Sequence, residues 1–242
     1  MNLQACRVLH RSLASLATAE AFSYAPNLTL WPRFFSPREQ CVLLGASLQR
    51  LDSNETRQSR RRMKTYKSTQ PPTSAEPSPQ DCFLPDQYYD FQEGHFDGVI
   101  RQYREMHLSS WPESESPDLV AVLMRLYSLC PTEDTQTHLI HLATLGEILP
   151  HVDNASASGS WIMGVSLGAE RLLQMDGPTQ DHESLRISLP SGSVYLQRDY
   201  MRYNYRHSIL RSKLSDAVHV GQRLSIIIRD RPLVELLHGR NS

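Results

Sequence analysis

From Thr137 onward the chain breaks into short runs rich in Val, Ile, Leu and Tyr, separated by Gly, Pro, Ser and Asp. THLIHLATL, WIMGVSLG, RLLQMD, SLRISLP, SVYLQRDYMRYNYRHSIL and RLSIIIRD follow at roughly regular spacing. Short runs of β-branched, aliphatic and aromatic residues bounded by turn formers read as strands. A succession of such strands predicts an antiparallel sandwich or barrel.

The half before them reads differently. In LTLWPRFFSPREQCVLLGASLQRL, from Leu28, a short strand leads through a proline turn into a helix. Ser36 is placed as its N-cap, Pro37 as its first residue and Glu39 as the closing half of a capping box. FDGVIRQYREMHL and DLVAVLMRLYSL, on either side of SSWPESESP, are expected to be two helices, the second capped by Asp118. Between these parts lies a basic cluster (Arg57, Arg60, Arg61, Arg62, Lys64, Lys67) and a Pro/Ser/Thr-rich run that cannot bury a core. A flexible insertion at about 54–85 is expected there, with the cations on a solvated loop edge or forming a phosphate-binding patch. The expected fold is α+β, with N-terminal helices supporting an all-β C-terminal part.

Composition narrows the classes of function. The 242 residues suffice for one sizeable domain, and 40% hydrophobic with 21% charged residues argues against wholesale disorder. A net charge of −1 gives no global attraction to nucleic acid or anionic membrane. No apolar run approaches the roughly 20 residues of a spanning helix. Cys6, Cys41, Cys82 and Cys130 lie far apart with no CxxC pair, which fits a reducing compartment. The start, MNLQACRVLHRSLASLATA, is basic, Ser-bearing and free of acids before Glu20. Residues 1–22 are therefore expected to be a mitochondrial transit peptide rather than a frayed helical tail, leaving 23–242 as the domain.

Chemistry concentrates in the strands. In GEILPHVDNASASGSW, His151 and Asp153 are two apart, so an extended backbone turns both to one side. An imidazole and a carboxylate are two ligands of a divalent metal, and a second His completes a 2-His-1-carboxylate triad. RYNYRHSIL supplies His207, sharing the parity of Tyr203 and Tyr205. RLSIIIRD then sets Arg223 and Arg229 six apart on one face. Two arginines inside a barrel need anionic partners, and a dicarboxylate cosubstrate supplies one through the guanidinium fork. Singly, each residue is also compatible with a core histidine or a strand-end arginine.

In the order HVD, H, RxxxxxR, these residues resemble the signature of AlkB-like Fe(II)/2-oxoglutarate dioxygenases, most closely the mitochondrial AlkB homologue 7 subgroup. The likeness runs through HLIHLATLGEILPHVD, IMGVSL, LPSGSVYLQRDYMRYNYRHSILR and GQRLSIIIRD. It implies a double-stranded β-helix (jelly roll) with iron held by His151, Asp153 and His207. By the same resemblance Arg223 pairs with the distal carboxylate of 2-oxoglutarate, helped by Tyr195. Arg229 orients Asp153 or the keto-acid end, and His138 lines the cosubstrate pocket. The implied cofactor is Fe(II), with 2-oxoglutarate and O2 as cosubstrates. Where bacterial-type relatives carry Asn, Tyr and Asn, this chain has Ile140, Leu142 and Ser225. The partners of Arg223 must therefore differ.

The segment at 54–110, where relatives carry a nucleotide-recognition lid, has one basic cluster followed by PDQYYDFQEGHFD, whose aromatics sit among acids. Acids repel phosphates, so a protein or small-molecule substrate is expected of a monomeric enzyme in the mitochondrial matrix. The alternatives are a demethylase of organellar RNA or DNA, reached through an open site, and a catalytically silent interaction module.

Overall fold

The computed structural model describes residues 20–70, 78–112, 117–179, 181–211 and 221–231. Most of the expected transit peptide (residues 1–19) lies outside them, as do residues 71–77 of the Pro/Ser-rich run.

Eleven strands form one curled, wholly antiparallel sheet. They are β1 (Phe22–Ala25), β2 (Leu28–Trp31), β3 (Gln92–Gly94), β4 (Ile100–Leu108), β5 (Thr135–His151), β6 (Trp161–Gly168), β7 (Arg171–Asp176), β8 (Leu185–Leu189), β9 (Ser193–Arg198), β10 (Arg206–Arg211) and β11 (Arg223–Asp230). The order is β1-β2-β9-β6-β11-β5-β10-β7-β8, with β4 and β3 continuing from β5. The 17-residue β5 turns the sheet on itself, pairing with β11 through residues 135–142 and with β10 through Ile148 and His151. Its bend coincides with a register shift in β4, where Gln102 has φ 48° and its carbonyl lies 2.6 Å from where a Cβ on Gly146 would sit. A side chain at Gly146 would close the bend.

Strand periodicity sorts the two faces of this wall. Leu224, Ile226 and Ile228 of β11 face two helices, α1 (Pro37–Ser53) and α3 (Pro117–Tyr127), while α2 (Arg57–Thr69) packs through Met63 on Leu84 and Tyr89. Leu119, Val122, Leu123 and Leu126 of α3 recur at helical spacing and pack there with Leu43, Leu44, Leu48 and Leu51 of α1. The alternate residues of the strands, among them Ile140, Leu142, Ile162 and Ile227, face inward against Leu173, Met175, Ile187, Leu189 and Ile209. A second apolar layer therefore lines the inside of the roll.

The α1 cap is as expected: Ser36 Oγ accepts from Glu39 N, and Glu39 Oε2 accepts from Ser36 N at 2.9 Å. Four expectations are corrected. Asp118 lies in the first turn of α3 and does not cap it, because the helix already begins at Pro117. Residues 100–108 form β4 rather than a helix, because pairing along β5 outweighs the helix propensity of Arg, Gln, Glu and Met. The basic cluster belongs to helix α2, not to a flexible insertion, since Met63 packs on Leu84 and Tyr89. SVYLQRDYMRYNYRHSIL is interrupted by α4 (Asp199–Asn204), entered through Asp199 at φ 45°. Tyr203 therefore points to solvent and does not share the direction of His207.

Candidate active site

His151 is the last residue of β5 and His207 lies opposite it on β10, so the paired register alone brings two imidazoles together with ring centroids 4.3 Å apart. Asp153 follows in the loop leaving β5. Its Oδ1 is 3.7 Å from His151 Nε2 and its Oδ2 3.6 Å from His207 Nε2. One ligating atom from each of the three residues lies within 4.8 Å of the other two. His151 Nδ1 sits 2.9 Å from the Leu149 carbonyl. That bond protonates Nδ1 and turns the Nε2 lone pair to the shared centre, the usual arrangement of a metal-ligating histidine.

The charge states suit the same role. Burial lowers the His207 pKa to about 4, so its ring is neutral at pH 7. Burial also acts to lower His151, but the Asp153 carboxylate and the Leu149 carbonyl outweigh it and leave its pKa raised. Burial would raise Asp153, yet the two imidazoles and Arg229 hold its carboxyl far below the ordinary carboxylate range. Arg229 Nη2 donates to Asp153 Oδ1 at 3.3 Å. The centre thus offers two nitrogens and one anionic oxygen, a donor set that fits Fe(II) and other divalent first-row ions.

Arg223, Ser225, Ile227 and Arg229 alternate along β11 on its inner face. Arg223 is completely buried, and the described residues bring it no acid. Its Nε donates to Ser166 Oγ at 3.0 Å, its Nη1 donates to Ser225 Oγ, and its Nη2 is buried without a partner. Two serine hydroxyls thus partner its guanidinium, with Ile140 and Leu142 in the apolar wall. Burial lowers the Arg223 pKa to about 10, leaving it charged at neutral pH. A buried guanidinium with no anion asks for one. Tyr195 lies fully buried beside it, its ring against Gly164, where a Cβ would come within 2.3 Å of the ring. Glycine at 164 gives the tyrosine its seat.

A cavity of about 390 Å³ is lined by the triad, Tyr195, Ser225, Arg229 and His138, and it meets Arg223 through that arginine's partner Ser225. His138 pairs with Ile227, so it lies about 13 Å along the strand from the Arg223 level and nearer the triad. Its Nε2 is 3.1 Å from Glu105 Oε2, and its ring stacks on His107 at 4.2 Å.

Sequence reading missed Glu105 and His107, since β4 was read as a helix, and it also missed Arg202 of α4. Arg202 is 1% exposed and donates to the carbonyls of Asp153 (3.0 Å), Asn154 (3.2 Å) and Ser158 (3.4 Å), and to Ser158 Oγ (2.7 Å). Standing five residues before His207, it fixes the loop that carries Asp153. Its only sequence signal was a cation among aromatics in a supposed strand.

A jelly roll with a His-x-Asp…His cluster beside an acid-free buried arginine defines a non-haem metal oxygenase built for an anionic cosubstrate. The sequence profile of the 2OG-Fe(II) oxygenase superfamily matches residues 27–229, and the chain belongs to that family. It is 31% identical over 146 residues to the alpha-ketoglutarate-dependent dioxygenase alkB homolog 7, mitochondrial, of Bos taurus, and 30% identical over 148 residues to the protein so named in Mus musculus. Each match covers 59% of this chain, and the chain spans 66% of the length of each relative. These relatives bear out the AlkB-like resemblance. Among solved structures, that of OsALKBH1 superposes with a TM-score of 0.53 at 14% identity, covering 88% of this chain and 100% of that one. It supports the jelly-roll fold.

Proposed function

We propose that this protein is an Fe(II)- and 2-oxoglutarate-dependent dioxygenase that hydroxylates a protein or small-molecule substrate in the mitochondrial matrix. The observation that carries the proposal is a three-ligand centre in a cavity whose wall includes Ser225, the hydrogen-bond partner of the buried, acid-free Arg223. His151, Asp153 and His207 would hold the metal. Bound Fe(II) with 2-oxoglutarate and O2 would supply the oxidising power: one oxygen atom of O2 ends in succinate as 2-oxoglutarate loses CO2, and the other enters a substrate C–H bond.

The chain's own residues do the positioning. Arg223 takes the distal carboxylate of 2-oxoglutarate as a charge-assisted pair that ends its isolation, and Tyr195 borders the same end. Arg229 keeps Asp153 anionic and aimed. Ile140, Ile148, Ile162, Ile209 and Ile227 line the cavity and limit water.

Asp97 and Glu105 line the cavity as well and would repel the phosphates of a nucleic acid, which favours the substrate class named. The mitochondrial assignment rests on the character of residues 1–22 and on the names of the two relatives.

Succinate formation tests the proposal. With Fe(II), O2 and 2-oxoglutarate, mitochondrial protein or metabolite fractions should stimulate succinate release, and a chelator or His207→Ala should abolish it. Stimulation by RNA alone would overturn the substrate class. No metal-dependent turnover with any fraction would overturn the enzyme.

A further inference from the structure

The active site leaves one sequence motif unexplained, the basic run RQSRRRMKTYKST. It forms α2, a 13-residue helix with six cations and no acid. At about 100° per residue, Arg57, Arg60, Arg61, Lys64 and Lys67 fall within an arc of about 120° on one side. The helix is anchored from elsewhere on its surface: Met63 is buried with Leu84 and Tyr89, and Tyr66 stacks on Tyr88 at 4.3 Å. The Thr56 cap and the buried Ser59 fix its start. The stripe is therefore held rigidly outward.

The nearby acids are already engaged. Glu55 is paired with Arg104 at 2.8 Å, Asp52 with Arg104 at 2.9 Å and with Lys67 at 3.8 Å, and Asp90 with Arg62 at 2.9 Å. Arg57, Arg61 and Lys64 have no acidic partner among the described residues. Arg57 also occupies the first turn, the positive end of the helix dipole, where no acid is present. Arg57 with Arg61 and Arg60 with Lys64 are like charges at i, i+4, which destabilises a helix. A surface serving stability alone would mix signs here. A cluster that costs stability and is held outward points to an anionic partner.

The exposed residues of α2 restrict that partner. None is aromatic or aliphatic, so α2 offers neither a stacking platform for unpaired bases nor an apolar wedge for insertion. The stripe also lies on the wrong side of the sheet to present a substrate. Met63 packs through Tyr89 onto Arg104, which faces the helices, whereas its neighbour Glu105 faces the cavity. A ligand on α2 is therefore a place to dock, not a substrate to be fed in.

We infer that the α2 stripe is a peripheral, purely electrostatic docking surface for the anionic face of a lipid bilayer. The active cavity, on the other face of the sheet wall, stays open while α2 is docked.

Flotation of the full chain with vesicles tests this. The vesicles are 70:30 phosphatidylcholine:phosphatidylserine or pure phosphatidylcholine, at low and high salt, with duplex RNA as competitor. The account expects binding to the anionic vesicles only, lost at high salt. Arg57→Gln/Arg61→Gln/Lys64→Gln should weaken it about 100-fold while the melting temperature holds or rises. Arg62→Gln, outside the arc, should change it far less. No binding to anionic vesicles, or equal binding by the triple variant, overturns the inference. Complete displacement by duplex RNA at stoichiometric amounts would reassign the stripe to nucleic acid.

Discussion

The sheet wall carries a buried arginine and a buried histidine on each of its faces, and the two sets differ in how far the chain answers them. On the helix side, Arg104 is buried against Asp52 and Glu55, its guanidinium lies 4.1 Å over the Tyr89 ring, and its Nε donates to His141 Nδ1. His141 Nε2 in turn donates to Gln222 Oε1 at 2.9 Å. On the cavity side, Arg223 has hydroxyl partners and no acid, and His207 Nδ1 is orphaned; both arginines leave Nη2 unpaired, so the acids make the difference. Gln222 and Arg223 are consecutive residues, so one strand start feeds both systems. Burial of polar groups therefore does not mark a site by itself. What marks it is charge that the chain leaves unanswered.

The largest expected effect falls on the answered side. Arg104→Met leaves the buried Glu55 carboxylate without its cation and Asp52 with Lys67 alone, and should cost about 3–5 kcal/mol of unfolding free energy in denaturant titration, with 2-oxoglutarate affinity retained by the folded protein. A loss under 1 kcal/mol would erase the contrast. Arg223→Met removes a lone buried charge, so the unliganded protein should be as stable as wild type or more so. Its 2-oxoglutarate affinity, read by calorimetry with an inert divalent metal present, should fall by roughly 100-fold. A strongly destabilised variant would show that Arg223 is structural after all.

Arg202 sharpens the contrast from between the two. It is saturated by loop carbonyls yet serves the site, so Arg202→Met should lower metal affinity about 10- to 100-fold by freeing Asp153. Unchanged affinity, measured by titrating Co(II) spectroscopically, would reduce Arg202 to a loop brace.

The smallest effect concerns protons. The raised His151 pKa stabilises the metal-free fold below about pH 6.5, and this contribution is lost as pH rises through the raised value. A metal needs the neutral ring, so affinity should fall in acid. His207, lowered to about 4, has no proton to lose at neutral pH. Metal uptake between pH 5 and 6.5 should therefore release about one proton, not two, and a release of two would contradict the asymmetry between the histidines.

Much of this was legible in the sequence, and the misses have physical causes. The strands from Thr137 onward showed themselves through short apolar runs bounded by turn formers, and Ser36-Pro37-x-Glu39 marked the start of α1. The clustering of His151, Asp153 and His207 was foreshadowed by the order HVD, H, RxxxxxR, although Asp153 lies in the loop beyond β5 and not on a strand. β4 was not, because Arg, Gln, Glu and Met favour helix locally and only pairing with β5 decides otherwise. α2 was hidden because six cations mask a single anchoring apolar residue, Met63. Arg202 was hidden because a six-residue helix inside a long aromatic run leaves no periodic trace. The serine partners of Arg223 come from two strands, and no linear reading joins Ser166 to Ser225.

The most direct test of the central claim is anaerobic addition of Fe(II) and 2-oxoglutarate to wild type, His151→Ala and Arg223→Ala, watching for the visible charge-transfer band of the chelate. The account predicts a band in the wild type that vanishes in His151→Ala and weakens in Arg223→Ala. Its absence from folded wild-type protein, or its persistence undiminished in both variants, would contradict the claim that the three-ligand centre and the acid-free Arg223 form a metal and cosubstrate site.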